Sequence, residues 1–322
     1  MAGVMSMTIS FTMKKRIELY LNHRRCLGYD SLSIERELLK FADYVDKKGY
    51  SGPLTVNLVT DWIETSTNIT RRTQVERLAY IHGFAKYDQI IEPQTKVPPL
   101  NLYGSVRRQS NPHIYSKKEI HDLLEATKKL TPTGGLKPIT FKYLLGLLAS
   151  TGLRISEAIR LTRQDVDLEN GILTIRETKF HKSRYVPLHP TTRKALKEYV
   201  LLRNRHIPDL LSSEFFVTDH CRPLELMSTE KTFKKLREYL GWINKPRLYD
   251  FRHTFVCQRL LKWYQEGKDV DKMIIYLSTY LGHVRVTGTY WYLTAIPELL
   301  LIVSKRFENF ANLPKEVAND GC

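Results

Sequence analysis

The sequence predicts a mainly α-helical protein of two domains, the second carrying a small antiparallel β-sheet. Three observations lead there. Apolar residues recur at helical spacing through the first ninety positions and again after about residue 190. A proline-rich basic stretch, EPQTKVPPLNLYGSVRRQSNPHIYS (92–116), interrupts that pattern. Two alternating runs, GILTIRETK and SRYVPLH, read as strands with a basic turn between them.

The N-terminal part, residues 1–92, reads as four helices. FTMKKRIELYLNHRRCLGY sets Phe11, Ile17, Leu21 and Leu27 near helical spacing, and SIERELLKFADYVDKKGY offers Ser33 as N-cap and Gly49 as stop. In the second helix Ile34, Leu38, Phe41, Tyr44 and Val45 form one face. TVNLVTDWIET and TRRTQVERLAYIHGFAKYDQII supply two more helices, the last with Leu78, Ile81 and Ala85 inward and Arg71, Arg72 and Arg77 outward. Residues 93–115 are expected to be an extended basic linker that contains Arg107 and Arg108 and has no acid. The second domain, 116–322, opens on a helix with Ser116 as N-cap and Glu119 at the capping-box position. A buried helix, ITFKYLLGLLASTGL, comes next, then RISEAIRL, the two strands and further helices. The polar KWYQEGKDVDK reads as an enlarged loop between two of them.

The global numbers restrict the function classes. The 322 residues carry a net charge of +16, with a pI of about 9.6, an excess that suits a polyanionic partner such as nucleic acid. The excess concentrates in residues 116–322, which hold 34 Lys/Arg against 23 Asp/Glu, whereas residues 1–92 hold 13 against 11. The longest apolar stretch, YLLGLLA (143–149), is far short of the roughly 20 residues of a membrane span. The N-terminal charges follow the mildly apolar stretch, the reverse of a signal peptide. Cys26, Cys221, Cys257 and Cys322 are widely spaced and suggest neither a zinc site nor a disulfide framework. No metal or cofactor is expected, and the expected compartment is the cytoplasm, at the nucleoid.

Four short stretches of the second domain carry the chemistry. TGLRISEAIRL sets Arg154 after a glycine turn at a helix start. TKFHKSRYVPL sets Lys179 in the turn between the strands. RLYDFRHTFV holds Arg252 three residues after Tyr249, and LGHVRVTGTYWYL holds His283 nine residues before Tyr292. Taken together and in this order, these motifs resemble the tyrosine recombinase (phage integrase) family, and the resemblance spans nearly the whole chain. It implies a helical SAM-like core-binding domain and an α+β catalytic domain that together clamp double-stranded DNA at a specific recombination site.

The residue types suit metal-free cleavage of a phosphodiester. Charge builds on the non-bridging oxygens of the attacked phosphate, and two planar guanidiniums, Arg154 and Arg252, can hold those oxygens with paired hydrogen bonds. A phenol of ordinary pKa near 10 is a weak nucleophile unless cations favour its phenolate. The resemblance assigns the nucleophile to Tyr292, protonation of the leaving 5′-oxygen to Lys179 (with Lys182 as fallback), a phosphate hydrogen bond to His283, and support of Arg154 to Glu157. Lys182 and Arg184 are further candidates for phosphate contact. Tyr290 and Tyr292 stand about 200° apart around a helix, so both cannot enter one pocket; Tyr290 and Trp291 are read as packing residues, and His253 as structural.

One position departs from the family. Tyr249 stands where the family usually has a histidine, and a tyrosine is a poor base at neutral pH. The tail TAIPELLLIVSKRFENFANL has a broad apolar face built from Leu299, Leu300, Ile302, Val303, Phe307 and Phe310. It packs on its own domain or, as the resemblance implies, docks on a neighbouring protomer to give a homotetramer, with partner recombinases or DNA-bending proteins as further candidates. The alternatives are a type IB topoisomerase and a non-catalytic DNA-binding regulator that keeps the fold.

Overall fold

The computed structural model describes residues 11–29, 32–67, 69–104, 112–176, 183–283 and 285–294. The chain divides into two compact units, Met1–Gln109 and Ser110–Cys322.

In the first unit, α1 (Met13–Cys26), α2 (Leu32–Lys47), α3 (Val56–Glu64) and α4 (Arg71–Asp88) enclose one apolar core. Thr12, Thr55 and Thr70 cap α1, α3 and α4, each accepting a backbone N–H from the first turn. Helix α2 is already running at Leu32, so Ser33 lies inside its first turn and is not the N-cap. Ile17, Leu38, Phe41, Val45, Leu78, Ile81 and Ala85 are fully buried, whereas Phe11 and Leu27 flank the core and stay exposed. The segment after Glu92 does not leave the bundle at once. Thr95 donates its hydroxyl to the buried Asp88 carboxylate (2.7 Å), which is also paired with the Arg16 guanidinium (3.0 Å). Lys96 N–H donates to the Leu54 carbonyl at 2.8 Å. A buried carboxylate needs such partners, and Thr95 supplies one by folding back.

The second unit begins with α5 (Lys117–Ala126), where Ser116 and Glu119 form the expected capping box. Helix α6 (Leu136–Thr151) is apolar nearly all round and sits at the centre, packed by α5, α8 (Pro190–His206) and α10 (Asp250–Gln265). The short α7 (Ile155–Ile159) leads into an antiparallel sheet of β1 (Val166–Asp167), β2 (Ile172–Ile175) and β3 (Arg184–Pro187), in that order. Leu173 pairs with Val186, and Ile175 with Arg184. Strand β1, only two residues long, is too short for alternation to reveal it. Among the described residues the remaining α-helices are α9 (Leu226–Tyr239), α11 (Val270–Leu281) and α12 (Thr287–Thr294). No enlarged loop joins α10 to α11: the polar stretch ends α10 and turns at Gly267, which has a positive φ of 70°. A separate apolar cluster binds α10, α11 and α12 and includes Val256, Leu260, Leu277, Leu281 and Tyr292. Among the described residues no helix is long and apolar enough to cross a membrane.

Candidate active site

The site is built where three segments distant in sequence close on one another. Helix α6 ends at Gly152 in the left-handed region (φ 63°), and a Cβ there would lie 2.7 Å from the Phe255 ring. Only glycine makes this turn so close to α10, and the turn delivers Arg154 as N-cap of α7. Glu157, one turn on, accepts from the Arg154 backbone N–H (3.0 Å) and from Arg154 Nη1 (2.6 Å). Burial pushes the Glu157 carboxyl up, but hydrogen bonds and charge from Arg184, then from Arg154, outweigh it and hold the group below the usual carboxylate range.

Arg252, in the first turn of α10, is fully buried. Its Nη1 donates to the Gly152 carbonyl (3.1 Å) and its Nη2 to the Leu281 carbonyl (2.6 Å). One guanidinium therefore joins the ends of α6 and α11 to the start of α10. Burial, followed by the charge of Arg154, lowers its pKa to about 10, so it stays a cation at neutral pH.

Helix α11 also ends on a left-handed glycine, Gly282 (φ 66°), with His283 directly after it. His283 Nδ1 is 2.7 Å from the Thr289 hydroxyl, which is itself fully buried on α12. Burial, then repulsion from Arg252, Arg154 and Arg184, lowers the His283 pKa to about 4 and leaves a neutral imidazole at pH 7. Tyr292, three residues after Thr289, is 2% exposed. Burial raises its pKa and Tyr249 adds to the rise, while Arg252 and Arg154 pull against it. The His253 ring lies 5.3 Å from the Tyr292 ring and 4.9 Å from that of Tyr249. His253 is buried, as expected of a structural residue, and burial lowers its pKa to about 4. Tyr249 is 41% exposed.

Around the same spot the field of three guanidiniums, Arg154, Arg184 and Arg252, only partly offset by the Glu157 carboxylate that the first two share, meets a neutral imidazole and a phenol. A cluster of this charge suits a phosphate diester. Among the described residues no cluster of His, Cys, Asp or Glu is spaced to hold a metal ion. The Phage integrase family profile matches residues 114–298, which include every one of these groups.

The chain belongs to the phage integrase family.

Its relatives agree. It is 34% identical over 306 residues to a putative integrase/recombinase, y4rB, of Sinorhizobium fredii, covering 92% of this chain and 97% of that one. It is 25% identical over 228 residues to tyrosine recombinase XerC of Thermodesulfovibrio yellowstonii, covering 69% and 71%. Among solved structures, the fold matches that of the Tn1549 transposon integrase in complex with transposon right end DNA (TM-score 0.66, 15% identity, 92% and 99% covered). It also matches XerH site-specific recombinase bound to palindromic difH substrate (TM-score 0.64, 20% identity, 84% and 78% covered). The activity is that of a tyrosine recombinase, site-specific cleavage and rejoining of DNA strands.

Within this recombinase the structure brings Arg154, Glu157, Arg252, His283 and Tyr292 together, with Tyr249 at the edge. Lys179, Lys182, Arg107, Arg108 and the tail beyond residue 294 lie outside the described residues, as does the side chain of Trp291. Three expectations need correction. Tyr290 is no packing residue: it is 40% exposed while Tyr292 is buried, because the inner face of α12 follows Thr289 and Tyr292. Arg77 does not point outward. It is buried, pairs with Glu37 (2.9 Å) and Ser66 (2.9 Å), and lies over the Trp62 ring. Arg184 is no open surface cation: its guanidinium is bound to Glu157 and to the Tyr280 carbonyl. Arg71 and Arg72 are exposed as expected, Arg72 pairing with Glu76.

Three features escaped the sequence reading. Thr289 is one; the true partners of Arg184 are another. The third is the exposed face of α9, which carries Lys231, Lys234 and Lys235; Lys231 and Lys234 border a groove that Arg247 also lines. The spacing of those lysines, three and four residues apart opposite buried Thr229, Thr232, Phe233 and Leu236, was the available signal.

Proposed function

We propose that Tyr292 is the nucleophile of this recombinase and that residues 152–157, 249–253 and 281–292 form its active site. The observation that carries this is the joining of those three segments by Arg252, which leaves two guanidiniums beside one phenol. On DNA, Tyr292 releases its phenolic proton to solvent, Oη attacks the scissile phosphorus, and the bond from phosphorus to the 5′-oxygen breaks. The product is a 3′-phosphotyrosine, which conserves the bond for rejoining to another 5′-hydroxyl. Arg154 and Arg252 hold the non-bridging oxygens where charge builds. His283, neutral, gives its Nε2–H to one of them while Thr289 donates to Nδ1. Lys179 protonates the departing 5′-oxygen, and Glu157 orients Arg154.

Without DNA the nucleophile is buried and protonated, so it is inert. Cleavage requires α12 to turn the phenol toward the phosphate, where the cations lower its pKa. Tyr249 takes the place of the usual histidine as a hydrogen-bond partner for the phosphate. The helical first unit is a core-binding domain that uses Arg71 and Arg72 along the backbone, and the lysine face of α9 adds contacts in the second unit. The tail TAIPELLLIVSKRFENFANL docks on a neighbouring protomer in a homotetramer, and the biological role is movement of a genetic element. The relatives named as integrases, together with the transposon integrase of similar fold, support that role.

The test uses DNA flanking the gene. Fragments trapped covalently on the protein are recovered and sequenced, and the site so found is built into a nicked duplex whose cut end cannot rejoin. Wild-type protein should give an adduct that resists denaturing electrophoresis. Failure to trap any fragment with wild type, at concentrations that shift the flanking DNA fragments themselves, would sink the proposal and favour a non-catalytic regulator.

A further inference from the structure

Arg184 is the third arginine of the site, and the mechanism above leaves it without a role. It opens β3, which begins five residues after Lys179 in the sequence. Its side chain is nearly buried and every nitrogen is engaged. Nε donates to the Tyr280 carbonyl (2.7 Å), and Nη1 and Nη2 donate to the two oxygens of Glu157 (3.2 and 2.8 Å). A Cβ on Gly282 would stand 2.9 Å from Arg184 Nη1, so the turn leading into His283 closes directly on this guanidinium.

Glu157 is thus held from two sides. Arg154 supplies its backbone N–H and one Nη; Arg184 supplies a fork of two N–H groups. A carboxylate left with one arginine favours the bidentate pair, which uses both donors on one edge of the guanidinium. Without Arg184, Glu157 would draw Arg154 into such a pair and away from a phosphate. Its charge would also offset that of Arg154 more fully. The end of α11 would lose its tie to β3 at the same time.

We propose that Arg184 is a positioning residue for DNA cleavage: it holds Glu157 so that Arg154 stays directed at the phosphate, and it grips the Tyr280 carbonyl so that His283 stands at the right height. This rests on the reading that Arg154 and His283 face the scissile phosphate.

The experiment measures binding and single-turnover cleavage of the nicked duplex for Arg184→Met, Arg184→Lys, Glu157→Gln and the double variant Arg184→Met/Glu157→Gln, with Arg154→Ala as control. Arg184→Met should cleave about 10- to 100-fold more slowly at saturating DNA, the range for loss of a supporting contact, with affinity and the salt slope of binding unchanged. Adding Glu157→Gln should restore about tenfold of that rate, because the unbalanced carboxylate is gone. Arg184→Lys, which keeps the charge and the fold but cannot hold Glu157 and Tyr280 together, should cleave about tenfold more slowly with an unchanged melting temperature. If Arg184→Met does not fold, Arg184→Lys decides alone: a wild-type rate overturns the proposal. It is also overturned if Arg184→Met lowers affinity and reduces the salt slope by about one, as loss of a phosphate contact would. Rates that fall further in the double variant overturn it too. Normal cleavage by Arg154→Ala would instead remove the active-site reading. Loss of cleavage there with a normal Arg184→Met removes only this proposal.

Discussion

The His283 imidazole illustrates how much a single buried residue sets here. Burial, aided by three arginines, keeps it neutral at pH 7, so its usefulness to a phosphate depends on which nitrogen carries the proton. The Thr289 hydroxyl lies 2.7 Å from Nδ1; in the proposed mechanism it donates to Nδ1 and leaves the ring proton on Nε2. Thr289→Val keeps the shape and removes the donor. We expect single-turnover cleavage to fall about tenfold, within the range for one orienting contact, and the ring-nitrogen NMR signals of His283 to lose their Nε2–H preference. An unchanged spectrum and rate would show that the hydroxyl is only packing. His283 and His253 also set a pH dependence of stability. Both are held at about 4 by burial, below the ordinary 6.5; Arg252, Arg154 and Arg184 add to the effect on His283, while at His253 Asp250 opposes burial and Arg247 and Arg252 act with it. The unfolded chain takes up these protons near 6.5, and the folded protein resists until about 4. Their contribution is therefore full above pH 6.5 and lost as pH falls toward 4. Denaturation midpoints should decline across that window, and His253→Phe should flatten the decline. A slope unaltered in that variant would contradict the assignment.

At the scale of elements, the turns and helix faces decide what the sequence discloses. The capping box of Ser116 and Glu119 is a local pattern, and it reads correctly because both partners lie within one turn. Arg77 misleads for the opposite reason. It stands four residues before Ile81, and so on the inward stripe of α4, but its charge suggests a surface position; its partner Glu37 is forty residues away and invisible to local spacing. Arg77→Ala should cost about 2 kcal/mol, the scale of breaking a buried charged contact, measured by chemical denaturation. It should leave the salt slope of DNA binding unchanged, whereas loss of both Arg71 and Arg72 should reduce that slope. A stable Arg77→Ala that binds DNA weakly would restore the outward reading. Gly152 is a second element-scale test. Its left-handed φ and the nearby Phe255 ring make Gly152→Ala expensive, about 2–4 kcal/mol by backbone strain and overpacking. Cleavage should fall as well, since the Gly152 carbonyl anchors Arg252. A melting temperature equal to wild type would refute this account of the turn.

At the scale of the whole molecule, the order of motifs along the chain disclosed the family and most of the candidate site. Arg154, Arg252, His283 and Tyr292 each follow a recognisable local signal, and the fold brings them together. Burial was less legible. The 200° offset between Tyr290 and Tyr292 is a property of any helix, but which side faces the core depends on α10 and α11 packing over Thr289 and Tyr292. The purpose of Arg184 was also hidden, because its partners come from α7 and α11, far from β3 in sequence. These long-range ties are what hold the cations around a buried phenol. The measurement that tests this most directly is covalent capture on the nicked duplex by wild type, Tyr292→Phe and Tyr290→Phe. The account predicts an adduct with wild type and with Tyr290→Phe and none with Tyr292→Phe. An adduct that survives in Tyr292→Phe, or vanishes only in Tyr290→Phe, would contradict it.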